Sequence, residues 1–332
     1  MKLLSFSLFA YFLFSLALSA LAQTVPDHRG VQLYRQQKYS EAASVLGGAV
    51  KDKQWKSDAS LWNYFGLACL EIGDFKRARK AFEKAVSLRP DDSSYHVNLA
   101  YIYLLFRQTN KSQAAAKKAI ALDPRNASAY YLRGSASLWE MDLDNAKIDA
   151  DQILAIEPAN PQGYLLSANI HLARLSKAVL SDTDADAVRE HIHLLKEARD
   201  ILRTGAEKTN NAKVIRDDLA SIDAFYEYFS KDRTRSTPSP PDPSVTPLTL
   251  IDKPRPSYTD SARRANRQGV IRMAVLFGAS GNIEGVLLLK RLGYGLDEQA
   301  LAAARKITFE PKKINGKPVA VVRVLEYSFS TY

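Results

Sequence analysis

The chain has 332 residues, with 46 Lys+Arg against 36 Asp+Glu and one cysteine. That length suits about two domains and a targeting segment, and 46% hydrophobic with 25% charged residues excludes a disordered or collagenous chain. The lone Cys69 excludes an intramolecular disulfide framework and a cysteine-cluster zinc site, and the formal charge of +10 points to an acidic surface or a nucleic acid as partner.

Met1-Lys2 precedes an uncharged apolar run from Leu3 to Ala22, which closes on Ala20-Leu21-Ala22 before Gln23 in the small-x-small pattern of a signal cleavage site. At about 1.5 Å per residue such a run also just spans a bilayer. Phe, Leu and Ser fill it, and no Lys or Arg cluster follows to stop transfer. The expectation is a signal peptide over 1–22, cut between Ala22 and Gln23, and an exported periplasmic protein. Uncleaved, the run becomes an inner-membrane anchor. Export argues against nucleic acid as the partner.

Residues 23–230 read as a repeat array. Leu88-Arg89-Pro90, Leu122-Asp123-Pro124 and Ile156-Glu157-Pro158 recur every 34 residues, the period of a helix-turn-helix repeat. In the clearest unit Trp62, Phe65, Gly66, Ala78, Phe82, Ala85 and Pro90 fall at the spacing of the tetratricopeptide pattern, which the stretch resembles. Gly66 and Ala78 are small where two helices cross closely, Phe82 and Trp62 fill the space between units, and Pro90 stops the second helix. Later units carry His96, Leu99, Ala100, Tyr103, Ala116, Ala119 and Pro124, then Tyr130, Gly134, Ala146, Ala150 and Pro158; an earlier one carries Gly30, Ala42, Leu46 and Ala49. Beyond Pro161 the spacing fades into helices expected over 162–175, 187–203 and 214–229, the last as an amphipathic cap. In a tetratricopeptide stack the first helix of each unit lines a groove, here presenting Tyr34, Arg35, Asn63, Glu71, Tyr101, Tyr131 and Trp139. These residues either hold an extended peptide or partner helix, or fill the superhelix interior.

From Lys231 to Pro256 the composition turns to Arg, Ser, Thr, Asp and Pro, and half of the chain's 14 prolines lie there. Such a stretch forms neither helix nor central strand. At about 3.1 Å per residue it reaches roughly 80 Å, so 231–253 is expected to be a spacer.

Residues 254–332 read as helix, two strands, helix, strand. A short basic helix over 258–268 ends at Gly269, and 270–277 and 283–290 form a hairpin around Ala279-Ser280-Gly281-Asn282. A helix over 296–306 and a final strand over 319–329 follow. The ordered set Pro256-Ser257-Tyr258 with Ala262-Arg263, Gly269-Val270, Gly281-Asn282-Ile283, Leu296-Asp297 with Ala300-Leu301, Phe309-Glu310-Pro311 and Asn315-Gly316-Lys317-Pro318-Val319 resembles the C-terminal domain of TonB-type energy transducers over nearly all of this region. Thr259 stands where that family usually has proline, and Ile307-Thr308 replaces its tryptophan-basic pair.

The expected fold is an all-α tetratricopeptide superhelix followed by a small α+β domain with a three-stranded antiparallel sheet. The resemblance implies a β-augmentation module that receives an extended segment of an outer-membrane transporter along its last strand, Val321, Val322, Arg323, Val324, Leu325, Glu326 and Tyr327, with Pro256, Ser257 and Tyr258 beside it. The family's anchoring helix carries a histidine, which the run from Leu3 to Ala22 lacks. The reading is therefore a periplasmic scaffold for two proteins, an outer-membrane receptor segment and one further envelope protein. The alternatives are a membrane-anchored energy transducer and a binder of cell wall or anionic membrane surface, since residues 254–332 hold 13 Lys+Arg and 6 Asp+Glu.

Other patterns resolve to structure. Glu190-x-x-His193 is half of a carboxylate-bridged metal pattern without its second copy, and Asp182-Thr183-Asp184-Ala185-Asp186 lacks the glycine and final glutamate of a calcium loop. Cys69 reads as a core residue, and no Gly-rich phosphate loop or supported carboxylate pair appears. No enzyme activity and no cofactor or metal is expected.

Overall fold

The computed structural model describes residues 28–177, 185–210, 212–231 and 244–330. The signal segment with Ala22 and Gln23, residues 182–184 of the calcium-like loop and the core of the proline cluster lie outside them. The chain divides into two compact units, one ending at Pro158 and the other holding residues 159–262 and 266–332.

The first unit is a stack of helix pairs: α1 (Arg29–Arg35) with α2 (Tyr39–Ala49), α3 (Ala59–Glu71) with α4 (Phe75–Leu88), α5 (Ser93–Leu105) with α6 (Thr109–Leu122), and α7 (Ala127–Trp139) with α8 (Leu143–Ile156). The period also governs the helix starts. Asp58, Asp92 and Asn126, 34 residues apart, each accept a first-turn N–H, from Leu61, Ser94 and Ala129. Asp74 and Asp142 do the same for second helices, accepting from Arg77 and Asn145. Each cap satisfies a donor that the helix itself leaves unpaired.

The small residues act as the pattern requires. A Cβ on Gly66 would stand 2.5 Å from the ring of Phe82, so only glycine lets α3 and α4 approach this closely. Phe82, Ala78, Ala85 and Cys69 are fully buried. Trp62 packs on Ala59, Ala85 and Tyr95, joining one helix pair to the next. Burial pushes the Cys69 thiol up to about 12, which suits a core residue and not a nucleophile.

The second unit combines α9 (Pro161–Lys177), α10 (Ala185–Lys208) and α11 (Lys213–Ser230) with the C-terminal strands. Its main sheet is built from β3 (Gly269–Phe277), β4 (Ile283–Lys290) and β8 (Val321–Phe329), in the order β4-β3-β8 and all antiparallel. β3 is central, and Met273 to Phe277 are all fully buried, which demands cover on both faces. One face meets α13 (Leu296–Ala304), with Phe277 edge-on to Phe309 at 4.8 Å. The other is covered by α9 and α11, where Phe225 lies against Gly285.

Sequence periodicity assigns α11 to the end of the repeat array, but in the fold its apolar face, with Ile215, Ile222 and Phe225 fully buried, serves the sheet and α10. A 3.6-residue period reveals that a helix has a face to bury, not which surface buries it.

The spacer also differs from expectation at its C-terminal end. β1 (Val245–Thr246) pairs with β6 (Lys313–Ile314), which pairs in turn with β7 (Lys317–Pro318), and β2 (Thr249–Asp252) pairs with β5 (Thr308–Glu310). β1 and β2 are outer strands of small sheets, and Pro247 falls between them, where no ladder N–H is required. The helix expected over 258–268 is shorter, α12 (Asp260–Arg264). Thr259 Oγ1 caps it by accepting the Ala262 N–H, and Asn266 turns the chain away at φ 50°.

Candidate peptide-binding sites

β8 is an outer strand, so alternate residues turn their N–H and C=O away from β3. Two contacts fix the alternation. The Val322 N–H donates outward to the Tyr228 hydroxyl at 3.3 Å, and the Glu326 carbonyl accepts outward from Lys253 Nζ at 2.9 Å. Val322, Val324, Glu326 and Ser328 therefore face outward, while Val321, Arg323, Leu325 and Tyr327 bond to β3. At Val322 the carbonyl is also met, by Arg323 Nη1 at 3.2 Å. Val324 shows no such contact among the described residues, and its side chain is 39% exposed.

The side chains along the strand do different work. Val321 and Tyr327 are buried, and Arg323 and Glu326 are exposed, Glu326 paired with Arg272 at 3.1 Å. Burial first, then the charge of Asp252, pushes the Tyr327 phenol up to about 12, and Lys253 lies over its ring at 4.8 Å. Tyr258 is held internally: its hydroxyl donates to the Arg267 carbonyl and its ring stands edge-on to Phe329 at 5.9 Å. It braces the last strand, leaving Ser257 as the exposed member of the flanking trio and Pro256 half-buried. Lys253, at the sheet edge, and Tyr228, from a helix distant in sequence, were not among the expected site residues. No local motif marks them, because only the sheet brings them to β8.

In the repeat unit the structure brings some groove candidates together and withdraws others. Tyr34 of α1 has its ring 5.4 Å from Tyr39 and 5.6 Å from Tyr64 of α3. Burial pushes the Glu71 carboxyl up to about 7, and raises the Tyr34 phenol, with Glu71 adding to the rise. Asn63 is withdrawn: it is only 9% exposed and accepts from Asn98 Nδ2 at 2.8 Å, a buried contact between α3 and α5. Arg35 is exposed, Tyr101 and Tyr131 are half-buried, and Trp139 carries the Arg107 guanidinium 4.0 Å above its ring. Glu190 and His193 are both exposed on α10.

Glu71 gives a pH-dependent prediction. Its carboxyl titrates near 4.5 when unfolded and about 7 when folded, so the folded chain holds more protons between those values and loses stability as pH rises through them. Glu71→Gln is expected to stabilise the protein at pH 8 by about 1 kcal/mol, after discounting for partial solvent access, and to leave it unchanged at pH 4. Urea unfolding at the two pH values checks this; a variant less stable at pH 8 would show the carboxylate to be ion-paired.

Residues 254–331 match the family described as Gram-negative bacterial TonB protein C-terminal. Tetratricopeptide repeat families match 29–93, 65–109 and 93–126. Among curated proteins, a rhomboid protease GluP of Bacillus subtilis (strain 168) is 31% identical over 72 residues, which are 22% of this chain and 14% of that protein. Solved structures similar to the chain include MamA, at 17% identity with a TM-score of 0.45, covering 55% of this chain and 95% of MamA. Another is a tetratricopeptide protein of Thermus thermophilus, at 21% identity and TM-score 0.45, covering 58% of this chain and 94% of that one.

The protein therefore joins a tetratricopeptide array to a TonB C-terminal domain. The families matched are of non-catalytic interaction domains that generally bind proteins or peptides, and the TonB C-terminal family is one of Gram-negative bacteria. Among the described residues no helix is long and apolar enough to cross a membrane.

Proposed function

We propose that the protein is a periplasmic scaffold, exported by a signal cleaved between Ala22 and Gln23, whose repeats hold one envelope protein while β8 takes up an extended segment of another. The second partner is an outer-membrane transporter. The observation that carries this reading is the outward N–H and C=O of Val324 on an outer strand, with Val324 itself exposed. A few net bonds of about 0.5–1.5 kcal/mol each, less the cost of ordering the peptide, give weak and reversible capture. Reversibility suits a protein that must release its partner.

The alternation along β8 supplies a clean test. Because the Val324 N–H faces outward, Val324→Pro removes a donor to an added strand without removing a β3 bond, whereas proline at Arg323 or Leu325 would break the ladder. The full chain is titrated with peptides copied from the periplasm-facing segments of outer-membrane transporters. Binding that falls at least about tenfold in Val324→Pro supports the reading. Absence of binding, or equal binding by the variant, defeats it. Binding to anionic vesicles that survives Val324→Pro but is lost at about 0.5 M salt would instead mark a surface binder.

A further inference from the structure

Across the sheet, Gly285 of β4, Leu276 of β3 and Val322 of β8 are aligned in one row, the Leu276 and Val322 side chains lying on one face. Helix α11 is seated on that row. Phe225 closes over Gly285, where a Cβ would stand 3.0 Å from its ring, and Tyr228, one turn on, reaches Val322. Tyr228 is 4% exposed and Val322 8%, so the hydroxyl accepts the Val322 N–H in a dry contact. With Arg323 Nη1 on the Val322 carbonyl, both outward groups of this residue are engaged from within the chain.

We propose that Tyr228 is a register stop for strand addition on β8. The inference rests on the β8 pairing reading above and deepens it by fixing how much of the strand a partner can use. An added strand can exchange bonds at Val324 and onward toward Ser328. At Val322 it would first have to break the buried Tyr228 contact, so the new bond only replaces one already made and returns no net stability. The paired segment of the ligand is therefore short, about five residues, and the ligand chain must leave the sheet before it reaches Val322. Lys253, bonded to the Glu326 carbonyl, stands beside the open stretch and leaves the Glu326 N–H for pairing.

The test uses the full chain and two labelled probe peptides of alternating valine and threonine with a glutamate at each end, one of about five residues and one of about nine. Fluorescence anisotropy is measured with wild type, Tyr228→Phe and Tyr228→Ala, and amide exchange of Val322 is followed by NMR. Wild type is expected to bind both lengths within about twofold, while Tyr228→Ala binds the longer peptide roughly five- to tenfold more tightly than the shorter. Tyr228→Phe keeps the ring that fills the sheet face and is expected to accelerate Val322 exchange about tenfold. Unchanged exchange in Tyr228→Phe, or equal length dependence in wild type and Tyr228→Ala, overturns the stop while leaving strand addition intact. If neither peptide binds any of the three proteins, strand addition itself fails and the stop falls with it.

Discussion

Phe82→Ala is expected to destabilise the repeat array by about 3–5 kcal/mol. The ring is fully buried and lies against Gly66, which has no side chain with which to close the resulting void. The glycine that permits close approach of α3 and α4 also prevents local repair. Because each repeat is stabilised by its neighbours, the loss should spread to the adjacent helix pairs and lower the urea midpoint of the array as a whole. A milder loss, under about 1.5 kcal/mol in far-ultraviolet circular dichroism, would mean that the helices collapse into the space. Gly66→Ala tests the same contact from the other side, since its Cβ would overlap the ring.

Arg133→Met should cost about 2–4 kcal/mol at neutral pH. Arg133 of α7 grips Asp149 of α8 through Nη2 at 2.6 Å and Nε at 3.1 and 3.2 Å, and the aspartate side chain is only 2% exposed against 25% for the arginine. Burial pushes the Asp149 carboxyl above its ordinary range even with the guanidinium drawing it down. Removing the arginine strands the charge, so the carboxyl should rise further. A carboxyl raised in the folded state binds protons that the unfolded chain has released, so stability declines as pH rises from the ordinary value, 3.8, through the folded one. The loss in Arg133→Met should therefore be smaller at pH 5 than at pH 8. Arg133→Met with Asp149→Leu should recover most of the stability, because a well-packed apolar pair avoids desolvating a charge. A single variant that unfolds like wild type at both pH values would show the pair to be dispensable.

Much of this architecture is legible in the sequence because the repeat writes the same physical demand every 34 residues. Gly66 against Phe82, proline after three of the four second helices, and Asp58, Asp92 and Asn126 at the helix starts are local requirements that recur at a fixed spacing. The hairpin of β3 and β4 is legible for the same reason, since alternation and a Gly-Asn turn are properties of neighbouring residues. The groove was less so. Asn63 is at a position expected to face the groove, but Asn98 takes its side-chain oxygen, and a pairing across 35 residues has no local signature.

What the sequence determined by itself is the composition of the molecule: a repeat array, a proline-rich passage and a small α+β domain, alongside a charge excess concentrated in residues 254–332. What only the tertiary structure decided is how the last helices and the strand edge are used. Amphipathic periodicity gave α11 an apolar face without naming its surface, and the fold turns that face to the sheet, setting Tyr228 against the Val322 N–H. The proline-rich passage likewise returns as β1 and β2 along the C-terminal strands and brings Lys253 to the Glu326 carbonyl. Strand pairing and face-to-face packing join residues distant in the chain, and their energies depend on which groups meet in space, so no spacing in the sequence could reveal them.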